Sequence, residues 1–243
     1  MSSGKSGAPL IVAIDGPSGV GKSSTGKALA RALGIPYLDT GAMYRAVALA
    51  AHRRGLRPPF DDPATSAALV ALAEECRISL TGSLEESHTI LDGEDVSSQI
   101  RVPEISRLAS QVSAIPGVRR RLSALQRELA LEGGGVLEGR DIATRVVPEA
   151  PFRFFLTASP EVRAQRRFAE LSARASAEAK GPSQTLAEVL ADQEARDLAD
   201  ATRTDSPLVC DERYDVVDTS GLSPEGALEV MLRKIRGEPA AGG

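Results

Sequence analysis

One glycine-rich stretch near the start of the chain limits what this sequence can fold into. It reads DGPSGVGKSS from Asp15 to Ser24 and contains the P-loop pattern G-x-x-x-x-G-K-[ST]. The apolar run Leu10–Ile14 precedes it, and a helix-like pattern extends from it to Leu33. Strand, glycine loop and helix in this order are the context that the motif requires. The stretch therefore predicts a nucleoside triphosphate site, and a glycine turn without a ligand is the weaker interpretation.

The residue types of this stretch suit polyphosphate chemistry. Glycines let the backbone turn its N–H groups toward an anion, and the N-terminus of the following helix attracts the same charge. Lys22 is placed to reach the β- and γ-phosphates, and the Ser23 hydroxyl can bind Mg²⁺, with Asp15 supporting the metal through a water molecule. The predicted ATP-binding loop comprises Gly16, Pro17, Ser18, Gly19, Val20, Gly21, Lys22, Ser23 and Ser24.

Composition excludes several classes of protein. A net charge of −4 and 3% aromatic residues do not favour a nucleic-acid surface. Two cysteines far apart, with two histidines, argue against a disulfide framework or a zinc site. Because no apolar run approaches membrane-spanning length and no signal peptide is evident, we expect a cytoplasmic protein without a membrane partner. A monomer is the default expectation.

Predicted strands alternate with helices along most of the chain, which indicates a parallel sheet covered by helices on both faces. Polar residues follow four strand ends, and ligands of such sheets collect at that edge. This pattern favours an enzyme. A switch GTPase is disfavoured because the chain has no asparagine and no T-K-x-D sequence for guanine. Between Arg57 and Ile105, short β-like runs around the Asp92-Gly93 turn predict a small antiparallel insert.

Five segments together resemble bacterial cytidylate kinases, across about Ile11 to Ile235. The segments are the P-loop, LDTGAMYR from Leu38, DGEDV from Asp92, SQVS from Ser110 and GRDI from Gly139. The resemblance implies transfer of the ATP γ-phosphoryl group to CMP or dCMP, with Mg²⁺. The implied fold is an α/β P-loop three-layer fold with a five-stranded parallel sheet, a small antiparallel insert in the nucleoside monophosphate (NMP) domain and a helical lid.

The resemblance also implies roles for individual residues. The implied catalytic residues are Lys22, Arg140, Arg196 and Arg203. The implied CMP-binding residues are Thr40, Tyr44, Arg45, Ser110, Arg119, Arg140, Asp141 and Asp200, and Arg166 joins the ATP-binding residues. A helix would place Arg196, Asp200 and Arg203 on one face, although an exposed, salt-bridged helix would show the same spacing.

The predicted domain organisation follows the same resemblance. The three parts of the core span 9–56, 116–183 and 207–237; the NMP-binding domain spans 57–115 and the lid 184–206; 1–8 and 238–243 are predicted disordered tails. The sequence departs from the family pattern at Glu138, Ala143, Ala199 and Ala201. Two alternatives stay open: a P-loop kinase acting on UMP, AMP or shikimate, and a nucleotide-dependent regulatory or binding module.

Overall fold

The structure is a computed structural model that describes residues 8–82, 87–177 and 184–238. The predicted tails lie outside these ranges except for Ala8 and Glu238. The helices are α1 Lys22–Leu33, α2 Thr40–Arg53, α3 Pro63–Glu75, α4 Pro103–Val112, α5 Pro116–Gly133, α6 Pro160–Ala177, α7 Leu186–Thr202 and α8 Pro224–Arg236. The strands are β1 Ile11–Asp15, β2 Tyr37–Asp39, β3 Ile78–Gly82, β4 Ser87–Leu91, β5 Glu94–Asp95, β6 Gly135–Gly139, β7 Phe152–Thr157 and β8 Asp215–Asp218.

Five parallel strands form the main sheet in the order β2-β6-β1-β7-β8, as the sequence predicts. Side chains of β1 alternate between the two faces because successive residues of a strand point in opposite directions. Val12 and Ile14 join the apolar cluster that includes α1 and α8, whereas Ile11 and Ala13 join a cluster that includes Ala130 of α5. The sheet is therefore the middle layer of three.

The insert is a separate antiparallel sheet in the order β3-β4-β5. Asp92 and Gly93 connect β4 to β5 with φ angles of 53° and 92°. Positive φ at both central residues is the geometry of a type I′ hairpin turn, so the predicted hairpin is confirmed. Ile78 and Leu91 anchor the insert in the largest apolar cluster, together with residues of α2, α3, α4 and α5.

Helix α5 starts at Pro116, because proline fits the first turn of a helix, where its missing N–H has no partner to lose. The segment after β6 is a single π-helical turn over Ile142–Val146. Within the described ranges, no helix is both long and apolar enough to span a bilayer.

Strand register brings the ends of β1, β2 and β6 to one level. Asp39 pairs with Glu138, and Asp15 pairs with Gly139. The P-loop leaves β1 at this level, α2 begins immediately after β2, and the segment containing Arg140 follows β6. The carboxyl edge of the sheet therefore carries the polar residues that the sequence placed there.

Candidate active site

Most of the predicted site residues line one cleft of about 730 Å³ at the carboxyl edge of the sheet. They come from the P-loop, the start of α2, helices α4, α5, α6 and α7, and the segment after β6. The predicted residues on its wall are Ser18, Gly19, Val20, Gly21, Lys22, Ser23, Ser24, Thr40, Tyr44, Arg45, Ser110, Arg119, Arg140, Asp141, Arg166, Arg196, Asp200 and Arg203. Asp15, Gly16 and Pro17 are not among the residues that line it.

The P-loop needs glycine at two positions for different reasons. A Cβ atom at Gly16 would lie 2.1 Å from the backbone oxygen of Leu156, which cannot yield because it belongs to β7. Gly19 has φ +82°, and a Cβ atom there would lie 2.8 Å from Nε2 of Gln193. The loop is thus packed between β7 and α7, and side chains at these glycines would displace it.

The carbonyl oxygens of the loop accept hydrogen bonds from surrounding side chains. Lys22 Nζ donates to the Pro17 oxygen over 2.6 Å, and Thr219 Oγ1 donates to the Val20 oxygen over 3.0 Å. Arg163 donates to the Ser18 oxygen, as described below. Because these carbonyls have donors, the hydrogen bonds restrict the conformations of the loop, which favours a phosphate cradle.

Three cations share one part of the cleft. Lys22, Arg140 and Arg196 all lie on its wall, and Arg196 Nε donates no hydrogen bond within the described part of the chain. Burial, followed by repulsion from Arg140, lowers the pKa of Arg196 to about 10. Burial and the charges of Arg140 and Arg196 also lower the pKa of Lys22. An anion bound among the three would relieve this repulsion.

Also on the wall of the cleft, three arginines, one of which is Arg140, alternate with two aspartates. Arg119 donates to Asp141, and Arg203 Nη2 lies 3.8 Å from Asp141 Oδ1. Arg203 Nη1 lies 3.2 Å from Asp200 Oδ1, and Arg140 Nε donates to Asp200 Oδ2 over 2.8 Å. Burial alone would raise the pKa of Asp200, but these guanidinium groups hold it below its usual value. The array ties α7 to α5 and to the end of β6.

Tyr44 and Arg45 face this array from α2. The Arg119 guanidinium lies 5.5 Å from the centre of the Tyr44 ring, and burial raises the pKa of Tyr44 to about 12. Arg45 donates through Nη2 to Asp39 over 2.8 Å, while its Nε donates no hydrogen bond in the described ranges. Ser110 of α4 lies on the same wall. This part of the cleft wall therefore offers hydrogen-bond donors from Arg45 and Ser110, and the aromatic ring of Tyr44.

Two side chains that the sequence predicts to contact ligands form hydrogen bonds within the protein. Thr40 Oγ1 donates to the Glu138 backbone oxygen over 2.6 Å, which fixes the start of α2 against β6. Arg166 donates to Thr219 Oγ1 over 3.0 Å and to the Thr219 backbone oxygen over 2.6 Å. Both residues line the cleft, but their hydrogen bonds connect segments of the protein: Thr40 to β6, and Arg166 to Thr219.

The carboxylate of Asp15 has three hydrogen-bond donors in the structure. Its oxygens accept hydrogen bonds from the amides of Ile142 and Ala143, both over 2.9 Å, and from the Tyr214 hydroxyl over 2.8 Å. The residue is fully buried. Burial raises its pKa to about 6, although the two amide bonds and Tyr214 act in the other direction. Asp15 therefore holds the turn that follows Asp141, and its water-mediated contact with the metal stays a prediction.

Glu138 is the carboxylate that the sequence interpretation missed beside Ser23. Ser23 Oγ and the Tyr37 hydroxyl both donate to Glu138 Oε1 over 2.6 Å. Oε2 is buried and accepts no hydrogen bond within the described part of the chain. Burial and the charge of Asp39 raise the pKa of Glu138.

These oxygens fit a magnesium ion. Mg²⁺ is usually held by one or two protein oxygens, with phosphate oxygens and water completing its shell. A serine hydroxyl and an unpartnered carboxylate oxygen at the P-loop match that requirement. The described residues contain no cluster of three or more acidic, histidine or cysteine ligands, so a closed protein cage is not offered there.

The fold and the cleft together define a P-loop phosphotransferase of the small-kinase type. A solved structure of an uncharacterized protein from Eubacterium ventriosum aligns with 94% of this chain and 99% of its own chain, with a TM-score of 0.52 and 13% identity. That likeness shows the fold alone.

Sequence comparison identifies the family. The cytidylate kinase family model matches residues 12–237. A cytidylate kinase of Syntrophotalea carbinolica is 46% identical over 93% of this chain and 92% of its own length. A cytidylate kinase of Corynebacterium glutamicum is 45% identical over 93% of this chain and 94% of its own length. The chain belongs to the cytidylate kinase family, which confirms the resemblance carried by its motifs.

Proposed function

We propose that this protein transfers the γ-phosphoryl group of ATP to CMP or dCMP, forming ADP and CDP or dCDP. The observation that supports the proposal is that one cleft is lined both by the cation-rich P-loop region and by the pair Asp141 and Arg119. The first suits a triphosphate. The second suits cytosine, whose edge presents an amino donor beside acceptors.

The acceptor is an ionised phosphate, so the nucleophile needs no strong base. Catalysis then consists of alignment and of compensating charge on the transferring group. Lys22 and the loop amides hold the donor, and Arg45, Arg140, Arg196 and Arg203 hold the acceptor phosphate and the transferring group. Ser23 and Glu138 would hold Mg²⁺, which would neutralise phosphate charge.

The array of arginines and aspartates gives α7 a function in this scheme. Arg196, Asp200 and Arg203 project from α7 into the cleft, and they contact residues of the core and of α5. We assign α7 to a lid that excludes water from the phosphates and so limits wasteful hydrolysis of ATP. The division of the chain into core, NMP-binding domain and lid belongs to this proposal, and a monomeric, cytoplasmic protein stays a prediction.

The test is a coupled ADP-release assay with ATP, Mg²⁺ and CMP, dCMP, UMP, AMP or GMP as acceptor. We expect CMP and dCMP to give the highest kcat/KM, because Asp141 and Arg119 match the cytosine edge. Preference for AMP would reject the acceptor assignment. ATP binding without transfer to any of the five acceptors would favour the regulatory-module alternative.

A further inference from the structure

Arg163, near the start of α6, is a buried cation with partners in two different parts of the site. Its Nη1 donates to the Ser18 backbone oxygen in the P-loop over 3.1 Å and also contacts the Asp197 carboxylate on α7. Its Nε donates to the Ala158 oxygen over 3.2 Å. Only 7% of the side chain is exposed. One guanidinium therefore joins the P-loop to the helix that we assign to the lid.

A second contact joins the same three elements. Gln193 lies one turn before Asp197 on α7, and its Nε2 donates to the Arg163 backbone oxygen over 3.3 Å. The same Nε2 faces Gly19, where a Cβ atom would lie only 2.8 Å away. Helix α7 thus lies directly against the glycine loop, with Arg163 between them.

Other polar groups at this junction depend on Arg163. Asp197 Oδ1 and Gln193 Oε1 are buried and accept no hydrogen bond within the described ranges. The guanidinium is an ion-pair partner of Asp197, whose side chain is 22% exposed. A shift of the Ser18 carbonyl would move or break the contact of Arg163 with Ser18, and a movement of the guanidinium would alter its contact with Asp197.

We propose that Arg163 is a positioning residue that couples nucleotide binding at the P-loop to the placement of α7. The proposal rests on the proposed function, because it makes donor binding place Arg196, Asp200 and Arg203 for the acceptor. ATP fixes the loop, the Ser18 carbonyl fixes the guanidinium, and the guanidinium fixes Asp197. The helix that carries the three cleft residues is then ordered by the donor before the acceptor is phosphorylated.

The experiment compares Asp197→Asn with Glu194→Gln in the full chain. Both substitutions remove one carboxylate charge from α7, but Glu194 is exposed, one turn from Asp197. Hydrogen exchange of α7 and P-loop amides is measured with and without a saturating non-hydrolysable ATP analogue. In the unmodified protein and in Glu194→Gln, we expect the analogue to slow exchange in both segments, by about tenfold in α7.

In Asp197→Asn we expect the analogue to protect the P-loop as before and α7 by less than about twofold, because the link is broken while the loop still binds. Arg163→Lys should behave in the same way, because an ammonium group lacks the planar fork that reaches both acceptors. A urea unfolding curve for each variant establishes that it is folded before exchange is measured.

Equal protection of α7 in Asp197→Asn and Glu194→Gln would overturn the proposal. Loss of analogue binding in Asp197→Asn would overturn it too, since the pair would then serve the loop itself. The exchange readout uses no acceptor nucleotide. A protein that shows the expected exchange but phosphorylates no CMP would therefore reject the proposed function and leave the coupling intact.

Discussion

Arg140, the residue directly after β6, donates through Nε to the carboxylate of Asp200 on α7 over 2.8 Å. This bond joins the segment after β6 to the helix that carries Arg196 and Arg203. Asp200 also contacts Arg203 Nη1 at 3.2 Å. This part of the cleft wall is therefore assembled by ion pairs between elements and not by one element alone.

Replacing Asp200 by asparagine should weaken this assembly. The substitution keeps the shape but removes the charge that compensates Arg140 and Arg203, so both guanidinium groups lose a buried counter-ion. We expect kcat/KM for CMP to fall about a hundredfold, mostly through KM. Steady-state kinetics with Glu194→Gln as the charge-matched control measures the effect. Equal kinetics in both variants would contradict it.

Lys22→Ala should separate catalysis from stability. Lys22 is 8% exposed, and burial together with the charges of Arg140 and Arg196 lowers the pKa of its ammonium group, so its removal relieves repulsion. We expect kcat to fall about a thousandfold, because charge on the transferring phosphoryl group loses a fixed cation. The thermal unfolding midpoint should stay equal or rise. Arg31→Ala, an exposed cation at the end of the same helix, is the control and should change neither quantity.

Asp141→Asn tests the cytosine assignment. Asp141 contacts Arg119 and lies near Arg203 on the acceptor side of the cleft. We expect KM for CMP to rise about a hundredfold, while the ATP dissociation constant changes less than about threefold. Asp218→Asn, an exposed carboxylate at the end of β8, serves as the control. A parallel loss of affinity for both nucleotides would mean that Asp141 has no selective role.

Glu138→Gln tests the metal assignment. Its free Oε2 would become part of a neutral amide, which is a weaker partner for a hard cation than a carboxylate. We expect the Mg²⁺ concentration for half-maximal activity to rise about tenfold. The affinity for ATP in the absence of Mg²⁺, measured by calorimetry, should change little. An unchanged Mg²⁺ requirement would remove Glu138 from the metal site, and chelation with EDTA should abolish transfer in either protein.

Asp15 should make folding stability depend on pH in a defined direction. Its pKa is about 6 in the folded protein, against 3.8 for an unperturbed aspartate, so the folded state binds the proton more tightly than the unfolded chain. Its contribution to the unfolding free energy is therefore largest below about pH 4 and decreases as pH rises to about 6, by about 3 kcal/mol. Above about pH 7 it is constant.

Asp15→Asn lacks this titration. The difference in unfolding free energy between the unmodified protein and Asp15→Asn should therefore shrink or reverse as pH rises from about 4 to about 7. Urea unfolding at several pH values across this range measures the difference. Tyr214→Phe, which keeps the carboxylate and removes one donor, should retain the pH trend. A difference that is independent of pH would refute the shifted pKa.

Much of the fold follows from local signals. The P-loop glycines, the Asp92-Gly93 turn and the alternation of strands with helices each specify backbone geometry within a few residues. The carboxyl edge of the sheet then brought Lys22, Arg140 and Asp141 into one cleft, as expected from the topology.

The missed features depend on pairs that are distant in sequence. The Ser23–Glu138 bond spans 115 positions, and the Arg163–Ser18 bond spans 145. Clustered arginines usually cover a solvated helix face, and spacing alone does not reveal that Arg163 is buried. The bond of Asp15 to Ile142, 127 positions away, depends on the π-helical turn, which the sequence does not predict.

The hydrogen bonds between the two ends of the chain have a consequence for synthesis. Tyr214 donates to Asp15 and Thr219 donates to Val20, each across 199 positions. During translation β1 and its glycine loop emerge before these donors and lack them until β8 and Thr219 have left the ribosome. Capacity to bind nucleotide should therefore arise only after Thr219 has been synthesised, and truncation before Tyr214 should abolish it.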